Sequence, residues 1–154
     1  MSPLQRYSDR RVLITGAGSG IGQACVLRIL DEGGRVVAAD ISQAGLADTT
    51  TKAGGHADRL TTMVMDVSNE ASVRSGVATA VAELGALDTL VNVAGIIRSS
   101  HFLDTTLADF EQVLRINLVG TFLVTREALP ALRRGDFPAV VNFASTSAAF
   151  AHPY

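Results

Sequence analysis

Apolar side chains gather in five short runs, at positions 12–15, 36–39, 60–65, 87–93 and 139–144. Many of their residues are β-branched, and turn residues bound them. Strands apolar on both faces suit a parallel sheet covered by helices. Helix-length stretches with polar and apolar positions at helical spacing lie between the runs. The repeated alternation of strand and helix predicts an α/β fold.

The helical stretches differ in how clearly they mark a buried face. The first starts near Gly20 and stops at Gly33-Gly34, with Gly22, Val26, Ile29, Leu30 and Gly33 on one side. Cys25 falls off that stripe and reads as a small packed side chain. Positions 43–58 predict a loose helix and then a loop at Gly54-Gly55, with His56 in solvent. A helix over 70–84 aligns Val73, Val77, Ala80, Val81 and Leu84. The segment 106–109 resembles a capping box that opens a long helix. That helix is expected to bury Phe110, Val113, Leu114, Leu118, Thr121 and Phe122, with Asn117 on the same face. Pro130 falls near its end, and Gly135 marks its stop. Arg98 and His101 sit in a predicted surface loop.

Composition narrows the class. The 154 residues match one ordinary domain, and no internal repeat or linker divides them. A hydrophobic fraction of 47% supports a core, while 18% charged residues and a net charge of −2 argue against disorder. Without a basic run, neither nucleic acid nor an anionic membrane is an expected partner. No membrane-length apolar stretch or apolar signal core is seen, so a cytoplasmic protein is expected. The single Cys25 leaves no intramolecular disulfide and no zinc cluster, and no metal site is expected.

The candidate chemistry starts where the first apolar run meets Thr15-Gly16-Ala17-Gly18-Ser19-Gly20-Ile21-Gly22. A glycine-rich turn that opens a helix lets a ligand lie against the backbone. The first helical amides then offer an anion site. A P-loop is excluded because no Lys-Ser or Lys-Thr pair follows the glycines. Asp40 ends the second run, where a carboxylate can take adenosine ribose hydroxyls or act as a turn or cap residue. Its charge would repel a 2′-phosphate, and no Arg or Lys occupies positions 41 to 51, which favours NAD over NADP. Asp66 at the third strand end either meets an adenine amino group or caps the next helix. Small residues in Asn92-Val93-Ala94-Gly95 let a flat ring approach the backbone. Asn117 is either a structural bracket or part of a polar site. Ser145-Thr146-Ser147 could bond a substrate oxygen or form a local turn.

In this order, the motifs resemble the N-terminal, cofactor-binding part of a short-chain dehydrogenase/reductase of the family's classical type, from about residue 10 onward. The turn is similar to T-G-x-x-x-G-x-G, and Thr15, Gly16, Gly18, Ser19, Gly20, Ile21 and Gly22 are implied cofactor contacts. Asp40 matches the acidic residue of NAD-preferring members. Asp66-Val67 resembles the adenine-contacting pair. Asn92, Ala94 and Gly95 match N-N-A-G, with Val93 in place of the second Asn. Asn117 and Ser145 match two members of the catalytic tetrad. The resemblance implies a doubly wound, Rossmann-like parallel sheet of order 3-2-1-4-5. It also implies hydride transfer between NAD and a small alcohol or ketone, in a homo-oligomeric full-length form.

The family's catalytic Tyr, within Y-x-x-x-K, is expected just past position 154, and Tyr154 reads as the residue before that motif. The expectation is therefore a single dinucleotide-binding domain over 1–154, truncated after its fifth strand, with little turnover and an association-prone edge at Val140, Val141 and Phe143. Two other readings are an inert NAD-binding fragment or interaction protein, and a Rossmann-like methyltransferase using S-adenosylmethionine. Thr15, the Asn92 element and Ser145 favour the dehydrogenase over the methyltransferase. Near Ile96, Ile97 and Ser147, the apolar pair suggests a substrate with an apolar body.

Overall fold

The apolar runs become five parallel strands in a computed structural model that describes residues 4–148. In chain order these are β1 (Arg11–Thr15), β2 (Arg35–Asp40), β3 (Leu60–Val64), β4 (Thr89–Asn92) and β5 (Ala139–Asn142). They hydrogen-bond in the order β3-β2-β1-β4-β5. Register brings the strand ends together: Thr15 lies opposite both Ala39 and Asn92. Strand order reverses at β1, between β2 and β4, and ligands bind at such switch points in open α/β sheets.

Helices cover both faces. On one side, α1 (Gly20–Asp31) and α2 (Gln43–Ala53) pack Val26, Ile29, Leu30 and Leu46 against Val12, Ile14, Val36 and Ala38. On the other, α3 (Glu70–Leu84) and α5 (Thr121–Leu132) pack Val73, Val77, Ala80, Leu123 and Val124 against Leu13, Val37 and Leu90. Strand residues one apart thus feed opposite cores, which is the physical meaning of an apolar run without alternation. No helix among the described residues is long and apolar enough to cross a membrane. Strand β5 lies at one edge of the described sheet and is exposed along its length, Val140 and Val141 included.

The predicted long helix is where the structure departs most. It is three pieces: α4 (Leu107–Leu114), a π turn (Arg115–Gly120) and α5. Four of the six residues predicted to be buried are exposed, at 55% for Phe110, 40% for Leu114, 64% for Leu118 and 58% for Phe122, while Val113 and Thr121 are half-buried. Gly120, Leu123, Val124, Ala128, Ala131 and Leu132 are buried instead. The segment is apolar on two faces, so periodicity alone names either, and the π turn shifts the phase between them. Asn117 is accordingly exposed rather than on a buried face.

Smaller differences follow local chemistry. Helix α2 is regular and runs to Ala53, and a 3-10 turn over Gly54–Arg59 replaces the expected loop. His56 is half-buried, with Nδ1 2.8 Å from Arg59 Nη2, rather than free in solvent. Arg98 bonds Gln112 at 2.9 Å. Cys25 is half-buried against the α1 core, and burial pushes its thiol pKa up.

Candidate functional site

Strand β1 delivers the chain into the glycine turn through Thr15, which is 1% exposed. Its Oγ1 accepts the amides of Val93 and Ala94, each at 3.2 Å, tying the turn to the end of β4. The backbones approach so closely that a Cβ on Gly16 would lie 2.7 Å from Ala94 N. A Cβ on Gly22 would collide with the carbonyl oxygen of Gly16. Both positions therefore require glycine by space alone. The first hydrogen bond of α1 is Gln23 N to Ser19 O at 3.1 Å. The helical amides before Gln23 thus have no intrahelical partner and stand at the positive end of the dipole. Ser19 is the N-cap, yet its hydroxyl makes no capping bond.

Asp40 stands beside this turn at the end of β2. Its Oδ2 accepts Gly18 N at 2.8 Å, and its Oδ1 accepts Ser42 N at 2.8 Å. Gly18 has no room for a side chain, since a Cβ would sit 2.9 Å from Asp40 Cγ. The cap of α2 is Ser42, whose Oγ accepts Gly45 N at 3.1 Å. Asp40 is thus not the cap, though its bond from Ser42 N makes it a turn residue, as the sequence also allowed. Asp66 is likewise not the cap of α3, a role taken by Asn69. Its Oδ1 closes a local turn, accepting Ser68 N at 2.9 Å and Ser68 Oγ at 2.7 Å. Val67 is buried, against Gly120 of the π turn.

These parts surround one cleft of about 360 Å³ at the C-terminal edge of the sheet. It is lined by Gly16, Ser19, Gly20, Ile21 and Gly22 from the turn, Asp40 and Ile41 from β2, and Met65, Asp66 and Val67 after β3. Val93, Ala94, Gly95 and Ile96 after β4 complete it, with Ile116 from the π turn. Ile41, Met65, Val93 and Ile116 were not expected from the sequence, whereas Ile96 was, together with Ile97 and Ser147, which do not line the cleft. For Ile41 there was a signal, since an apolar residue directly after a strand-end carboxylate falls at the same edge.

Five expected residues do not line it: Thr15 and Gly18 are buried within the turn, and Asn92, Asn117 and Ser145 lie elsewhere. The side chain of Asn92 is 4% exposed and turns into the layer between β4, β5 and α5. Its Nδ2 donates to Thr125 Oγ1 at 3.0 Å and Asn142 Oδ1 at 2.8 Å, while its Oδ1 has no partner. Asn117 is a bracket. Its Oδ1 accepts Ile96 N and its Nδ2 donates to Ile96 O, both at 2.8 Å. Its own carbonyl accepts Thr121 Oγ1 at 2.8 Å. Ser145 follows β5, exposed, in a local turn: its Oγ accepts Ser147 N and donates to Ser147 Oγ, both at 3.1 Å. Tyr154 lies outside the described residues.

Two buried, ion-paired carboxylates stand at the opposite edge of the sheet. Asp88, just before β4, is 2% exposed and bound by Arg11, which holds its carboxyl down at about 2. Glu32, after α1, is similarly held at about 2 by Arg6 and Arg28. Among the described residues no group of three or more His, Cys, Asp or Glu is arranged to hold a metal ion.

Comparison with known proteins agrees with this geometry. A short chain dehydrogenase family profile matches residues 10–153. Levodione reductase of Leifsonia aquatica is 38% identical over 148 residues, covering 94% of this chain and 55% of that protein. D-threitol dehydrogenase of Mycolicibacterium smegmatis is 34% identical over 146 residues, covering 95% of this chain and 56% of that one. The crystal structure of levodione reductase superposes with a TM-score of 0.90 at 35% identity, covering 96% of this chain and 58% of the other. The chain thus spans somewhat more than half the length of these relatives. With its profile match, its relatives and its sheet order in agreement, the chain belongs to the short chain dehydrogenase family.

Proposed function

We propose that the protein is an NAD-dependent oxidoreductase that transfers hydride between the nicotinamide and the hydroxyl or carbonyl carbon of a small alcohol or ketone. The observation that carries this reading is the fixed Asp40 carboxylate, held by Gly18 N and Ser42 N at the rim of the glycine turn. A carboxylate so placed accepts ribose hydroxyls and repels a 2′-phosphate. The turn leaves room for a dinucleotide, since Gly20 lines the cleft and a Cβ there would meet no protein atom within 4 Å. The open helical amides suit a pyrophosphate.

Bound NAD supplies the hydride chemistry. Asp66 and Val67 line the adenine side. Ala94 and Gly95 leave the strand end flat for a ring. Asn117 acts through its bracket on Ile96, which fixes the cleft wall beside the proton path. Ser145 holds the substrate oxygen through its hydroxyl, exchanging its bond to Ser147 for one to substrate. The relatives' names, one a reductase and one a dehydrogenase, support a carbonyl or hydroxyl substrate. The exposed row Phe110, Leu114, Leu118 and Phe122 supports assembly of like subunits. A cytoplasmic location completes the reading.

Fluorescence titration tests it. NADH is expected to bind at least about tenfold more tightly than NADPH, a difference of about 1.4 kcal/mol. Equal or tighter NADPH binding would refute the assignment of Asp40. Binding of S-adenosylmethionine instead of either would refute the oxidoreductase reading.

A further inference from the structure

The glycine turn faces the cleft on one side and on the other rests on a polar chain that is buried at Thr49 and Gln23 and reaches solvent at Asp48 and Lys52. Thr49 of α2 is 0% exposed and Gln23 of α1 is 9% exposed. Gln23 Nε2 donates to Thr49 Oγ1 at 2.9 Å and to Asp48 Oδ2 at 3.0 Å. Gln23 Oε1 accepts Lys52 Nζ at 2.8 Å. Lys52 in turn pairs with Asp48 at 2.6 Å, completing the set. Since Thr49 Oγ1 accepts from Gln23, its single proton is left for a carbonyl. Ala17 O lies at 2.9 Å and Gly45 O at 3.0 Å. Gly45 O is the i−4 acceptor of Thr49's own amide in α2. Both carbonyls are within reach of the Thr49 proton, and its bond to Ala17 O is the one that ties α2 to the glycine turn.

The carbonyl of Ala17 and the amide of Gly18 are two ends of one rigid peptide plane. Thr49 holds the carbonyl end, and Asp40 Oδ2 accepts from the amide end at 2.8 Å. Turning that plane would break both bonds, so each fixes the other. Helix α2 reaches the turn because Gly45 has no side chain: a Cβ there would lie 2.6 Å from Gly18 O. Thr49 stands one helical turn further along the same face.

The geometry points to Thr49, oriented by Gln23, as a positioning residue for ribose recognition, which sets the Asp40 carboxylate through the 17–18 peptide. This rests on the cofactor reading above. It makes the choice of NAD over NADP depend on a buried hydroxyl that touches no part of the cofactor.

The test is a double-mutant cycle on the intact protein, read as NADH dissociation constants with thermal melts alongside. Thr49→Val is expected to weaken NADH binding about fivefold, the worth of one hydrogen bond. Thr49→Ser, which keeps the hydroxyl, is expected to bind like the unsubstituted protein. In an Asp40→Ala background, Thr49→Val is expected to cost less than about twofold, because the group it positions is gone. Unchanged affinity in Thr49→Val would overturn the inference, as would the same loss in both backgrounds. Should Thr49→Val fail to fold, Gln23→Met carries the same expectation and the same refutation. No NADH binding by the unsubstituted protein would refute the cofactor reading itself, and this inference with it.

Discussion

Replacing Asp88 by Asn tests the far edge of the sheet. Its Oδ2 accepts Arg11 N at 3.0 Å and Arg11 Nε at 2.8 Å, and its Oδ1 accepts Arg11 Nη2 at 2.7 Å and Asp136 N at 3.1 Å. An Asn has the same shape, but whichever way its amide is turned, two of these donors meet an NH2 group. A carboxyl held at about 2 rather than at 3.8 contributes roughly 2 kcal/mol at neutral pH, at about 1.4 kcal/mol per pH unit. Breaking a fully buried pair costs about 3–5 kcal/mol. The Arg11 side chain is 24% exposed and can recover some solvation, so the expected loss is about 2–4 kcal/mol. For a chain of this size that is a fall in Tm of roughly 4–16 °C. The sign with pH follows from the depressed value. The stabilisation is fully present above about 3.8 and is lost as pH falls through about 2, so the variant should also lose part of the acid dependence. Urea melts at pH 7 and pH 3 measure both. Asp136→Asn is the control, since Asp136 is 76% exposed and its pair with Arg11 is worth less than about 1 kcal/mol. An Asp88→Asn protein with the melting point and acid slope of the unsubstituted one would refute the reasoning.

Three further outcomes are expected. Gly22→Ala drives a methyl into Gly16 O and should destabilise the fold by about 1–3 kcal/mol while weakening NADH binding, read by melt and titration. Asn117→Leu loses both bonds to Ile96 and should speed exchange of the Ile96 amide and cost about 1–2 kcal/mol, measured by hydrogen exchange and melts. Glu32→Gln should lower the melting point above pH 4.5 and flatten the loss of stability that Glu32 contributes as pH falls from 4.5 through about 2.

The sheet and the glycine turn were legible because they rest on local chemistry. β-branched runs make strands wherever they fall, and glycines that permit backbone contact leave a spacing in the sequence. The placement of Asp40 beside the turn was legible because it is a carboxylate that closes a strand. What was not legible depends on contacts between distant segments. Nothing near Thr49 in sequence announces that its hydroxyl ends on Ala17, and Asn92 gives no local sign that it turns inward to Asn142. The face of α4 and α5 was misread because both candidate faces are apolar, and only docking on α3 and β4 chooses between them. At Ser145 the sequence offered a local turn or a substrate contact, and the structure has the turn.

The π turn at Arg115–Gly120 makes chain length a functional variable here. Each residue of a helix advances it by about 100°. A π turn fits an extra residue into one turn of a helix, so deleting one there would close an ordinary helix and draw the residues of the turn round by up to that angle. A deletion just before Asn117 would carry its side chain off Ile96. By contrast, a residue inserted at Gly54 or Gly55 meets open space, since a Cβ at either would touch nothing within 4 Å. Insertions and deletions should therefore be tolerated behind α2 and lethal to the site between α4 and α5. A library of single-residue deletions that keeps Ile116 would map that boundary.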